Sequence, residues 1–221
     1  MVRRSARWLL ILASIILPAL TLSYYGVELL DLGLFAATIF FCTLIPGLLL
    51  LSLLRIYQDG AYRFVLATIT GICLDILLYI VLSFVQLKSM FYPLFGMFFL
   101  IYLLRGHVRE DLRAMTAAML ALDTKILAAL SLSSILLLAS ICVFQFIPNP
   151  LPGGSLPIIY YIDQTWHLAN IAEIANHWYP QDARLTGYPF HYHTFVYVFI
   201  AFIANISGIS LPVLFFRKSL V

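Results

Sequence analysis

The chain has 221 residues, of which 63% are hydrophobic and only 10% are charged, with a net charge of +3. Soluble domains carry about 25% charged residues, so this composition argues against a soluble enzyme and indicates an integral membrane protein. The basic residues are spread over several short stretches, which argues against a nucleic-acid-binding surface. The apolar runs are continuous rather than alternating, so we predict an all-α integral membrane protein.

Six segments are apolar enough for a helix to cross ~30 Å of hydrocarbon, which takes ~20 residues. In chain order they are residues 8–24, 33–54, 64–87, 90–104, 126–147 and 195–216. The first is interpreted as a retained span, because its apolar run is long for a signal peptide and no small-residue cleavage site follows. The three cysteines lie within these segments and are expected to be buried apolar residues.

The lysines and arginines predict the orientation, because short cytoplasmic loops retain basic residues. Six spans place eleven of the 13 basic residues inside and leave only Lys88 and Arg184 outside. We therefore expect a multi-pass protein of the plasma (inner) membrane with both termini in the cytoplasm.

This topology divides the chain into three parts. Residues 1–147 form an N-terminal transmembrane bundle of five spans, with an interfacial helix at about 109–123 on the cytoplasmic side. Residues 148–193 form a long extracytoplasmic loop, which contains a short amphipathic helix at about 164–177. Residues 194–221 form the sixth span and the cytoplasmic end.

Two features interrupt the apolar spans of the bundle. Pro46-Gly47 in the second span can kink that helix or let a neighbouring helix approach closely. Asp75 lies near the middle of the third span, where an acid costs ~2.5–3.5 kcal/mol on insertion and should face protein or water. It either belongs to a proton or ion pathway or makes a hydrogen bond to a neighbouring helix.

The external loop holds four of the five histidines and begins its predicted helix at Asp163, a plausible N-cap. Asp163 and His167 lie one turn apart on one helix face, so they can act on one substrate together. A carboxylate at a helix start tends to stay ionised, as a catalytic base must be. Alternatively, Asp163 only caps the helix and His167 anchors it at the interface beside Trp166.

Other polar residues of the loop are candidates for binding. His191 and His193 face one side on extended backbone and could contact a sugar, a phosphate or a metal, or belong to an interfacial belt. Asp182 and Arg184 can pair or bind substrate. Glu173 and His177, together with Asn170, are expected to form a polar stripe on a solvated face. The spacing matches no established metal motif, so neither a metal site nor a cofactor is predicted.

The external segment carries three motifs in order. They are Asp163-Gln-Thr-Trp-His167-Leu, then Trp178-Tyr-Pro-Gln-Asp182, then Leu185-Thr-Gly-Tyr-Pro-Phe-His-Tyr-His193. With Pro-Gly in the second span, this pattern resembles multi-spanning bacterial and archaeal membrane proteins of the GT-C glycosyltransferase superfamily.

The resemblance implies a transferase that takes a sugar from a lipid-linked donor at the outer membrane face. It implies Asp163 as the catalytic base with His167 beside it, and His191 and His193 near the substrate. We expect this chain to be the N-terminal portion of such an enzyme, completed by a C-terminal portion or another membrane subunit. A non-catalytic membrane scaffold, or a transporter that uses Asp75, is the alternative.

Overall fold

The computed structural model describes residues 2–24, 27–54, 61–105, 162–182, 185–189 and 194–215, with Ile56 and scattered residues between Glu110 and Leu136. The helices are α1 (Val2–Tyr24), α2 (Leu29–Thr38), α3 (Ile45–Leu53), α4 (Ala61–Phe84), α5 (Phe91–Leu104), α6 (Ile162–Asn176), α7 (Thr194–Ser207) and α8 (Leu211–Val213). A π-helical turn, Ile39–Leu44, joins α2 to α3, and a 3-10 turn, Lys88–Met90, precedes α5. The described part of the chain is therefore mostly helical.

Two helices are long and apolar enough to cross a membrane, Leu29–Leu53 and Tyr62–Phe84. The outward face of α4 carries large exposed apolar side chains, which water disfavours but lipid accepts: Val65, Ile69, Leu77 and Val81. Shorter apolar helices are Leu9–Tyr24, Lys88–Leu104 and Thr194–Ser207. These helices indicate that the chain associates with a membrane.

The predicted sixth span, residues 195–216, is interrupted in the structure. α7 ends at Ser207, and Gly208 follows with a positive φ of 71°. The Gly208 N–H donates to the carbonyl of Ala204 at 3.0 Å, which closes the helix with a left-handed glycine. With 14 residues, α7 is ~21 Å long, shorter than a straight crossing of the hydrocarbon.

Two other predicted segments are only partly described. The described residues of the predicted interfacial helix at 109–123, among them Glu110, Asp111 and Arg113, are helical. Most of the predicted fifth span, residues 126–147, lies outside the described residues.

A two-stranded antiparallel ribbon follows α6, where the sequence predicts only loop. Strand β1 (Gln181–Asp182) pairs with β2 (Leu185–Pro189). Gly187 has a φ of 89°, and its N–H donates to Oε1 of Gln181 at 3.0 Å. The all-α prediction is therefore wrong for this segment, because strands this short carry too little alternation to be recognised.

α3 and α4 cross with their backbones in contact. A Cβ at Gly47 would lie 1.9 Å from the carbonyl oxygen of Ala67, and a Cβ at Gly71 would lie 2.0 Å from that of Thr43. The prediction of a close helix approach at Pro46-Gly47 is confirmed. Pro46 has no N–H to donate to the preceding turn, which accounts for the π-helical turn just before it.

α6 packs its buried face onto the helical bundle. Ile171 and Ile174 are fully buried in one apolar cluster with Tyr79 of α4, Phe91 of α5 and Phe202 of α7. Burying an isoleucine side chain contributes ~1.5–3 kcal/mol, so this cluster fixes α6 against the helices that precede and follow it.

Candidate functional site

The first turn of α6 carries the leading candidate of the sequence. Asp163 is the second residue of the helix rather than its N-cap, a difference of one position that lies within the usual uncertainty of helix ends. The first N–H groups of a helix have no partner within it and favour a nearby negative charge. The backbone position of Asp163 therefore suits an ionised carboxylate.

His167, one turn later, is held by the next helix along the chain. The hydroxyl of Tyr197 in α7 makes a hydrogen bond with Nδ1 of His167, and the centres of their rings are 5.6 Å apart. The ring of Phe215 lies 6.3 Å away on another side. Tyr197 is buried, so its hydroxyl fixes the orientation of the imidazole.

The ribbon folds back towards the same turn of α6. Nε1 of Trp166 donates a hydrogen bond to Oδ1 of Asp182 at 3.3 Å. The rings of Trp166 and His167 are neighbours, with centres 4.9 Å apart. Trp166 thus links Asp182 to the turn of α6 that carries His167.

The other predicted binding residues, Arg184, His191 and His193, lie outside the described residues. Within the part of the chain that the structure describes, no group of three histidine, cysteine or acidic side chains could hold a metal ion. The arrangement that is described offers an imidazole with a fixed ring, a tyrosine hydroxyl and a carboxylate. These groups can orient polar ligands and exchange protons with them.

Glu173 and His177 form a separate pair at the end of α6. Oε2 of Glu173 lies 2.9 Å from Nδ1 of His177, and His177 is 68% exposed. The Gln181 N–H also donates to Glu173 Oε1 at 3.5 Å. His177 lies on a solvated face, as predicted, while Glu173 is 26% exposed and joins α6 to the ribbon. Asn170, expected on the same face, is instead buried, because it lies on the side of α6 that carries the buried Ile174.

The C-terminal end of α6 is held by side chains from α4, α7 and the turn before α5. The last carbonyls of a helix have no partner within it. Nζ of Lys88 donates to the carbonyl of Ala175 at 2.7 Å, and the Tyr79 hydroxyl donates to that of Ile174 at 3.2 Å. Asn205 Nδ2 in turn donates to the Tyr79 hydroxyl at 2.7 Å.

Lys88 is one of the two basic residues that the predicted topology leaves outside. Its ammonium lies 5.2 Å from the centre of the Tyr79 ring, and burial lowers its pKa. A cation at a helix C-terminus is favourable, which offsets part of that burial cost. The structure therefore gives Lys88 a specific role in docking α6.

Asp75 is fully buried at the crossing of α4 with the π-helical turn. The Thr43 hydroxyl donates to Asp75 Oδ2 at 2.6 Å. Of the two sequence interpretations, the hydrogen bond between helices is confirmed. Asp75 Oδ1 meets no hydrogen-bond partner among the described residues.

Nothing in the sequence identifies Thr43, Tyr197 and Trp166 as partners of Asp75, His167 and Asp182, since each contact joins residues far apart in the chain. The chain matches no protein-family model, no curated protein and no solved structure. The likeness to GT-C enzymes therefore rests on the motifs between Asp163 and His193 and on Pro46-Gly47 in the second span.

Proposed function

We propose that this chain is a GT-C-like membrane glycosyltransferase, or the N-terminal portion of one, that uses a lipid-linked sugar donor at the outer membrane face. The observation that supports the proposal best is the hydrogen bond from Trp166 to Asp182, which brings the second motif against the turn of α6 that carries His167.

In the proposed reaction, Asp163 accepts the proton of an acceptor hydroxyl. The acceptor oxygen then forms a bond to the anomeric carbon of the sugar, and the bond from that carbon to the phosphate oxygen breaks. The lipid phosphate leaves with the electron pair of that bond. A positioned general base contributes typically ~10²–10⁴-fold to such a rate.

The neighbouring residues have supporting roles in this proposal. His167, held by the Tyr197 hydroxyl, orients Asp163 or donates a hydrogen bond to the phosphate. Asp182, Arg184, His191 and His193 bind the substrates, with the Arg184 guanidinium suited to phosphate. The reaction as written uses no metal or cofactor.

The topology is part of the proposal: six spans in the plasma (inner) membrane, both termini cytoplasmic, and residues 148–193 outside. The sixth span is broken at Gly208 and is continued by the apolar residues that follow it. This topology is supported by the apolar helices and by the distribution of basic residues. The partners are the bilayer, the lipid-linked sugar and a C-terminal portion or another membrane subunit, with no nucleic acid.

Replacing Asp163 tests the proposed chemistry. Asp163→Asn keeps the shape and can still accept a capping hydrogen bond, but it removes the base. Membranes from cells that produce the protein are given a panel of polyprenyl-phosphate sugars, and release of polyprenyl phosphate is measured. We expect Asp163→Asn to lower the release by ~10²-fold or more, and Glu173→Gln, near the end of α6, to leave it unchanged.

Wild-type release from Asp163→Asn, with normal accumulation of the protein, would refute the catalytic role. If membranes that contain the wild-type protein release no more polyprenyl phosphate than membranes without it, a non-catalytic scaffold is the better account of the chain.

A transporter is the second candidate, because Asp75 has a buried oxygen without a partner among the described residues. Intramembrane acids often belong to proton pathways. In vesicles that contain a pH-sensitive dye, a transporter would move protons in a way that Asp75→Asn abolishes and Asp163→Asn does not. The glycosyltransferase proposal expects neither variant to change proton flux.

A further inference from the structure

The ribbon β1–β2 leaves large apolar side chains exposed. Leu185 is 54% exposed and Tyr188 is 66% exposed, and both lie on β2. A two-stranded ribbon is at best marginally stable in water, so such a ribbon needs a supporting environment.

The ribbon starts where a candidate span ends. Tyr179, two residues before β1, is 69% exposed and meets the ring of Phe84 edge-on, with centres 5.9 Å apart. Phe84 is the last residue of the apolar helix Tyr62–Phe84, so it marks the level at which that helix leaves the hydrocarbon.

α7, which begins five residues after the ribbon ends, also starts with exposed apolar side chains. Phe195 and Val196, in its first turn, are 68% and 60% exposed. Exposed apolar side chains thus occur at the end of α4, on the ribbon and at the start of α7. Tyrosine and other aromatic rings are enriched at this boundary, where one edge is in lipid and the other reaches the headgroups.

The charges on the ribbon are compatible with this location. Among its described residues the one charged side chain is Asp182, and its Oδ1 accepts the hydrogen bond of Trp166 from the α6 side. The Asp182 carboxylate is therefore held by α6 rather than left unpaired beside Leu185, Tyr188 and Tyr179.

We infer that the ribbon lies in the boundary between headgroups and acyl chains of the bilayer, with Tyr179, Leu185 and Tyr188 inserted. The exposed apolar side chains of the ribbon are therefore covered by lipid rather than by another protein. The inference rests on the membrane-spanning part of the proposed function and is independent of the transferase chemistry. It places Asp182 and His167 next to the plane in which the phosphate of a lipid-linked donor lies.

The inference is tested by depth-dependent fluorescence quenching. A cysteine-free chain receives one environment-sensitive nitrobenzoxadiazole label at Leu185→Cys or Tyr188→Cys. Matched references are Leu77→Cys, exposed on the apolar face of α4, and His177→Cys, on the solvated end of α6. Each protein is reconstituted in phosphatidylcholine vesicles with spin labels near the headgroups or near the acyl-chain ends.

We expect shallow spin labels to quench both ribbon positions about twofold more strongly than His177, and deep spin labels to quench Leu77 most. The inference is wrong if Leu77 is quenched but the ribbon positions are quenched no more than His177. It is also wrong if the deep spin labels quench the ribbon positions most. Neither result contradicts the membrane-spanning proposal. If Leu77 is not quenched either, the membrane-spanning proposal is wrong, and this inference, which rests on it, is wrong as well.

Discussion

Asp75 and Thr43 form a buried polar pair between helices that are otherwise apolar. The Thr43 hydroxyl is the donor to Asp75 Oδ2, and the other carboxyl oxygen has no partner in the described part of the chain. Such a pair stabilises the bundle only while both members are present, because a buried acceptor without its donor is costly.

Thr43→Val should therefore destabilise the protein by ~1–3 kcal/mol, since it leaves Asp75 Oδ2 without its donor. Thr68→Val is the matched control, because the Thr68 hydroxyl bonds to the Phe64 carbonyl within its own helix. Thermal unfolding in detergent micelles compares the two variants. Equal unfolding temperatures would show that the Thr43–Asp75 bond contributes little.

Lys88 makes a second contact whose loss can be measured locally. Lys88→Met keeps the length of the side chain but removes the donor to the Ala175 carbonyl. We expect amide hydrogen exchange in the last turn of α6 to become about tenfold faster, as loss of ~1.4 kcal/mol would give. The control is Ser89→Ala, at the exposed neighbouring position. Unchanged protection in α6 would contradict the docking role.

The close packing of α3 against α4 depends on small residues where the two helices cross. Gly47 and Gly71 allow the backbones of α3 and α4 to touch, in the manner of the small-residue contacts common between membrane helices. The carbonyls of Thr43 and Ala67 occupy the space that a side chain would need. Thr43 itself is held by this crossing, so the polar pair depends on the glycines.

Gly71→Ala should cost ~1–3 kcal/mol, because its Cβ would lie 2.0 Å from the Thr43 carbonyl oxygen and force the helices apart. Gly96→Ala, in α5, has nothing within 4 Å of the new Cβ. It should be neutral or stabilise by up to ~1 kcal/mol through helix propensity. Unfolding temperatures in micelles test both, and similar effects of the two changes would rule out the backbone contact.

The sequence predicts the helices well where apolar runs are long, as at Leu29–Leu53 and Tyr62–Phe84, because hydrophobicity alone determines them. It does not predict the break at Gly208, since an isolated glycine near the end of an apolar run is a weak signal. The ribbon is missed because its strands are short. The spacing of Asp163 and His167 predicts their shared face, but spacing cannot reveal partners such as Tyr197 or Trp166.

The molecule as a whole combines an apolar helical bundle with one polar segment docked onto it. α6 is fixed at its start by His167–Tyr197 and at its end by Lys88 and Tyr79. A segment held at both ends by the bundle can keep its polar residues in a constant position at the membrane surface, as the proposed transfer from a lipid-linked donor requires.

This account is tested most directly by determining on which side of the membrane α6 lies. Single cysteines are placed at His177 and, as a control, at Arg113 in a cysteine-free chain, and intact cells are treated with an impermeant thiol reagent. We expect His177→Cys to react at once and Arg113→Cys to react only after the membrane is opened. Protection of His177→Cys in intact cells, with labelling after opening, would contradict an outward-facing site and the lipid-linked chemistry proposed for it.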